Sequence, residues 1–227
     1  QAANALTTGS ISVAVGYQAL KSVTTGHSNV ALGYQAMYNT FTGVSESVAI
    51  GRLAQRKSIA SGNISIGYFA HYSLTSGSSN IAIGNQAGYS QTTGNSNVCI
   101  GIASFDAATT ASNSVAVGSR ALGANTTADA NHAFGYEALE SNTTGTGNTG
   151  TGYQALNLNT TGNDNTAVGY QAGDSITTGS NCTCIGNGAD ASSATATNEI
   201  TLGNSSVATL RCNTQTISSL SDARDKT

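Results

Sequence analysis

A glycine recurs along this chain at residues 16, 33, 51, 67, 84, 101, 118, 135, 152, 169, 186 and 203. Each closes a short core of the V-A-I-G type. The spacing is 17 residues throughout, except for one interval of 18 and one of 16 on either side of Gly51. One copy, Thr24–Met37, reads TTGHSNVALGYQAM. A unit this short cannot bury a core alone, so twelve copies at one period predict a stacked array in which each unit packs on its neighbours.

Within each copy the residue before the glycine is bulky (Val15, Leu32, Ile50, Ile66, Ile83). The one two before it is small (Ala14, Ala31, Ala49, Ser65, Ala82), and three before it Val or Ile dominates. Strand side chains alternate between faces, so the segment predicts a short strand with one branched face and one tiny face. A strand that is apolar on both faces is buried on both. One face can fill a narrow coil. The other needs a cover that the repeat itself does not contain, and further copies of the same chain are the economical cover. Which face lies at the shared axis stays open. The Y-Q-A-L segment after the glycine reads as a second short strand with a small third residue (Ala19, Ala36, Ala155, or Ser104 and Ser206). T-T-G segments such as Thr92-Thr93-Gly94 read as turns, where glycine adopts geometry that other residues reach only at a cost. The expected fold is all-β: a parallel β-solenoid of about twelve turns. At ~4.8 Å per turn, the rod is about 50 Å long.

Two columns recur beside the strands. Asn stands four before the glycine at 29, 63, 80, 97, 131, 148 and 165, and Tyr follows it at 17, 34, 68, 136, 153 and 170. Repeated Asn and Tyr could contact a ligand, but stacked turns favour hydrogen-bonded Asn ladders and Tyr-on-Tyr packing.

Composition excludes several function classes. Charged residues make up 8% and the net charge is −3, so there is no basic footprint for nucleic acid and no polybasic surface for membrane lipid. No apolar run approaches the ~20 residues of a membrane span, and no membrane insertion is expected. The opening QAANALTTG lacks the regions of a signal peptide and starts in mid-pattern, so a longer or processed polypeptide is expected.

No cofactor or metal site is expected. Cys99 and Cys184 occupy the small slot that Ala fills elsewhere and read, with Cys182, as small buried thiols. His27, His71 and His132 fall at different phases of the repeat, as do the carboxylates Asp129, Glu137, Asp164 and Asp174. A paired-carboxylate hydrolase site would need two acids within about 5–10 Å. Asn-x-Ser/Thr triplets begin at 63, 125, 142, 159, 181 and 204.

The V-A-I-G core with its following segment resembles the head repeats of YadA-like trimeric autotransporter adhesins, over about residues 7–206. The copies with T-T-G and Y-Q-A-L look still more like stretches of phage and virus tail fibres. That resemblance, and not the spacing, implies a left-handed parallel β-roll assembled as a parallel homotrimer. The array gives way near residue 206 to a β-rich lead-in, 207–220. Residues 221–227 open with Ser221-Asp222-Ala223-Arg224-Asp225-Lys226. This resembles the S-D-x-R-x-K start of the endosialidase-type intramolecular chaperone of trimeric tail fibres, whose body is expected beyond Thr227. The resemblance implies autoproteolysis between Leu220 and Ser221, with Ser221 as nucleophile and Lys226 as its partner, a pairing in which an amine accepts the hydroxyl proton.

The expectation is therefore a non-enzymatic virion fibre segment, extracellular, that attaches to a host cell-surface glycan or protein receptor. Three alternatives are a bacterial trimeric adhesin head, an ice- or carbohydrate-binding solenoid and a depolymerising enzyme. Adjacent Thr-Thr in a strand would point to opposite faces, which argues against the flat Thr-x-Thr surface of an ice binder.

Overall fold

A computed structural model describes residues 11–39 and 43–209. Twelve three-residue strands run β1 Val13–Val15, β2 Val30–Leu32, β3 Val48–Ile50, β4 Ile64–Ile66, β5 Ile81–Ile83, β6 Val98–Ile100, β7 Val115–Val117, β8 His132–Phe134, β9 Thr149–Thr151, β10 Thr166–Val168, β11 Thr183–Ile185 and β12 Ile200–Leu202. They form one parallel sheet in chain order, a β-solenoid of about eleven turns, with no helix among the described residues. The register is strict. Ala82 sits beside Ser65 and Cys99, and the bulky positions fall beside bulky positions.

Alternation settles the orientation of the strands. The small middle residue points into the coil and is almost wholly buried at Ala31, Ala49, Ala82, Cys99, Ala116, Ala133, Ala167 and Cys184. The branched residues on either side point outward and are only partly covered. Ile100 is 36% exposed, Phe134 43% and Ile185 44%. The tiny face therefore fills the solenoid, and the bulky face is the uncovered one.

The recurring glycine turns the corner after each strand. Gly33 and Gly84 have φ of 133° and 139°, a region nearly closed to L-residues. A Cβ on Gly33 would also lie 2.7 Å from the Gly51 carbonyl oxygen of the next turn.

The Y-Q-A-L segment is not a second strand. Its second and fourth residues are left-handed: Gln35 (φ 53°) and Met37 (φ 50°), Gln154 and Leu156 (both 53°). Left-handed geometry costs an L-residue roughly 1–2 kcal/mol. Here turn-to-turn hydrogen bonds offset it: Gln35 N–H donates to Tyr17 O at 2.8 Å, and Leu20 N–H donates to Ala36 O at 3.1 Å. The alternating conformations send two consecutive side chains inward, which a strand cannot do. Ala36 with Met37, and Ala155 with Leu156, are fully buried together.

The interior forms two apolar clusters. One runs from Ala19 to Ala54 and the other from Ala70 to Ala189. Between them the inward positions are polar.

Candidate functional site

Three features hold the chemistry of the rod: the interior between the two clusters, the columns that follow the corner glycine with their tyrosines, and the Asn ladders between turns.

The interior break is built from Gln55, Ser65, His71 and Gln91, all fully buried. Gln55 and His71 stand in the column that holds Leu20, Met37, Phe105 and Leu122 elsewhere. Gly88, the next residue of that column, leaves room for the imidazole, since a Cβ there would lie 2.7 Å from His71 Cδ2. Ser65 Oγ lies 2.9 Å from His71 Nδ1 and 3.4 Å from Gln55 Oε1. Gln55 Nε2, His71 Nε2 and Gln91 Oε1 have no hydrogen-bond partner. Burial lowers the His71 pKa from 6.5 to about 3, and Gln91 beside it offsets only part of this. A Ser–His pair at this distance is the start of a nucleophile–base arrangement. This one is sealed from solvent, with Ser65 and His71 both fully buried, so no substrate reaches it in this structure.

On the exterior, the tyrosines after the corner glycine stack as the repeat predicts. Ring centroids are 5.4 Å apart for Tyr17–Tyr34, 5.3 Å for Tyr136–Tyr153 and 5.1 Å for Tyr153–Tyr170. Between Tyr34 and Tyr68 the column holds Arg52, whose guanidinium lies 5.8 and 5.4 Å from the two ring centres. Four residues on, Arg56 repeats the arrangement between Tyr38 and Tyr72, at 5.7 and 5.5 Å. Each arginine also donates to a phenol, Arg52 to Tyr68 Oη at 3.3 Å and Arg56 to Tyr72 Oη at 2.9 Å. Tyr89 stacks on Tyr72 at 5.3 Å, and Phe69 joins the two columns through Tyr68 and Tyr72. Sequence reading missed this cluster. Arg52 holds the Tyr position of the turn after Gly51, but only the stacked turns show that it lies between two rings.

The Asn ladder forms as expected and clamps successive turns. Asn97 Oδ1 accepts from Ser114 N–H at 3.0 Å, and Asn97 Nδ2 donates to Ala111 O at 2.8 Å, both in the following turn. Asn148 and Asn165 repeat this. A second ladder runs through Asn125, Asn142 and Asn159. Asn63, Asn125, Asn142 and Asn159 are thus buried, leaving Asn181 and Asn204 as the exposed Asn-x-Ser/Thr positions.

The remaining sequence candidates disperse. His27 lies on an exposed turn, His71 in the interior and His132 on the outward face of β8. Among the described residues, no group of three or more His, Cys, Asp or Glu side chains could hold a metal ion. Asp129 accepts from Ser112 N–H at 2.7 Å. Glu137 accepts from Gln154 at 2.7 Å, and hydrogen bonds from Gln154 and Tyr136 hold its pKa below the usual value. Asp174 is pushed up by burial and by Asp190. Arg120 pairs with Glu137 and Glu140 beside a notch that Gly123 opens between Asp106 and Glu140. Burial raises the Asp106 carboxyl. Cys99, Cys182 and Cys184 are free and buried, and burial raises the Cys184 thiol to about 11. Ser221 and Lys226 lie outside the described residues.

No protein-family model, curated protein or solved structure matches the chain.

Proposed function

We propose that this chain is a rigid shaft or head segment of a virion tail fibre: a parallel homotrimer of left-handed β-rolls that attaches to a host cell surface. The observation that carries the reading is the outward face of the sheet. Two Val, Ile or Leu side chains per strand run along it from β1 to β7 and again at β12. Strands β8, β10 and β11 each carry one bulky apolar residue beside His or Thr, and β9 carries only Thr149 and Thr151. Among the described residues nothing covers this face fully. Covering a half-buried Val or Ile contributes about 1 kcal/mol, and two such positions recur in most turns. A threefold association would collect that energy along the whole rod. Trimer symmetry would also present each surface site three times, so that weak contacts sum to avidity. The ladders support a spacer role, since each turn is bonded to the next through backbone, Asn and Thr groups. On this reading Ser221 and Lys226 are a self-cleavage pair that works with a chaperone domain.

Mass measurement on native and fully denatured protein tests the assembly. Three chains are expected in the native state, and a native mass of one chain overturns the trimer. Ile83→Lys, which places a charge on the outward face without touching the coil interior, is expected to release monomers that keep the β-rich circular dichroism of the parent.

A further inference from the structure

We propose that the basic, tyrosine-rich face around Arg52 and Arg56 binds an anionic polysaccharide of the host surface. The sugar hydroxyls would meet the phenols, and the oxyanions would meet the guanidinium edges. The partner class rests on the attachment role proposed above; the binding face itself does not.

Departures from the repeat converge at this level of the rod. The intervals of 18 and 16 residues flank Gly51, the polar interior break spans Gln55 to Gln91, and the cation–aromatic sandwiches occupy the same turns. Deviation from an otherwise regular pattern is expected where function is placed. The charge is also segregated. Lys21, Arg52, Arg56 and Lys57 are four of the five cations among the described residues, and Glu46 is the sole acid in their stretch. From residue 58 to 209 there are eight acids and one cation, Arg120. The ion pairs among the described residues are those of Arg120, so Arg52, Arg56 and Lys57 have no carboxylate to neutralise them. Arg56 Nε is buried without a hydrogen bond.

The geometry selects the kind of polyanion. Arginine presents a planar fork suited to carboxylate, sulfate or phosphate oxygens, and the rings hold the guanidiniums of Arg52 and Arg56 in place. Single-stranded nucleic acid binds such faces by stacking bases on open rings. Here the ring faces are occupied: Tyr72 lies against Tyr89 at 5.3 Å, and Arg52 and Arg56 fill the gaps in their columns. What remains outward is a row of phenol hydroxyls and N–H donors, which suits a hydroxyl-rich, acid-bearing chain. The acidic remainder of the rod repels such a polymer, which confines its footprint to the turns around Gly51.

The test is retention of the full chain on immobilised polygalacturonate, dextran sulfate, polyphosphate and neutral dextran, with a single-stranded oligothymidylate in parallel. Binding to at least one acidic polysaccharide is expected, weakening with salt and absent on neutral dextran. The galacturonate and sulfate arms tell which oxyanion is preferred. The double variant Arg52→Gln/Lys57→Gln, both exposed, is expected to lose about tenfold or more in affinity while its thermal unfolding is retained. Arg52→Lys, which keeps the charge and loses the fork, should fall between, and Arg120→Gln should bind as the parent. No retention on either polysaccharide, equal affinity of the double variant, or tighter binding to polyphosphate or oligothymidylate overturns the proposal. Since the native mass is measured separately, a failed trimer and a failed binding face are distinguishable.

Discussion

His71 makes the rod acid-sensitive, by an amount that can be worked out. Its imidazole is fully buried between Ser65 and Gln91, and burial holds its pKa at about 3 against 6.5 for a free side chain. The unfolded chain therefore takes up a proton at a pH where the folded chain does not. For a group depressed on folding, stability is whole above the unfolded pKa and falls as pH drops toward the folded one. The window is pH 6.5 down to about 3. At 1.36 kcal/mol per pH unit, the loss by pH 4 is about 3 kcal/mol per chain. His71→Gln keeps an amide able to bond Ser65 and has no proton to accept. Urea unfolding of both proteins at pH 7 and pH 4 separates this effect from the carboxylates, which titrate alike in each. The parent should lose about 3 kcal/mol more than the variant over that interval. Parallel pH profiles would refute the buried, neutral imidazole.

Two further outcomes probe the frame. Asn97→Ala strips partners from the Ser114 N–H and the Ala111 carbonyl of the next turn, and at about 1–3 kcal/mol for each unpaired group it should cost about 2–6 kcal/mol in chemical unfolding. Gly84→Ala combines φ of 139° with a Cβ driven into the backbone of Gly101. It should cost more than the ~1 kcal/mol of a Gly→Ala change at a compatible site with its sign reversed, seen as a fall in thermal midpoint, whereas Ala103→Gly at a left-handed position should leave the midpoint unchanged or raise it.

The period was legible because in-register pairing makes the glycine spacing equal to one turn. The inward Ala column was legible too, because nothing larger than Ser, Thr or Cys ever replaces it. The segment after the glycine misled for a conformational reason. Gln154 and Leu156 are left-handed, and no residue type there announces it, so strand alternation placed Ala155 and Leu156 on opposite faces when both are inside. His71 became legible as a core residue only once Leu122, Leu139 and Leu156 were known to share its column. The same holds for Arg52 and Arg56, whose partners are a full turn away in sequence. The pair Ser221 and Lys226 falls beyond the described residues.

The hydrogen bonds between turns run along the rod, so a pull applied to its two ends loads those layers in series, and the assembly is as strong as its weakest layer. The packed Leu layers resist separation by apolar contact as well as by hydrogen bonds. The layer of Gln55, Ser65 and His71 replaces that apolar contact with incompletely bonded polar groups. Fracture under tension should begin there, leaving a short basic stub on one side and a long acidic shaft on the other.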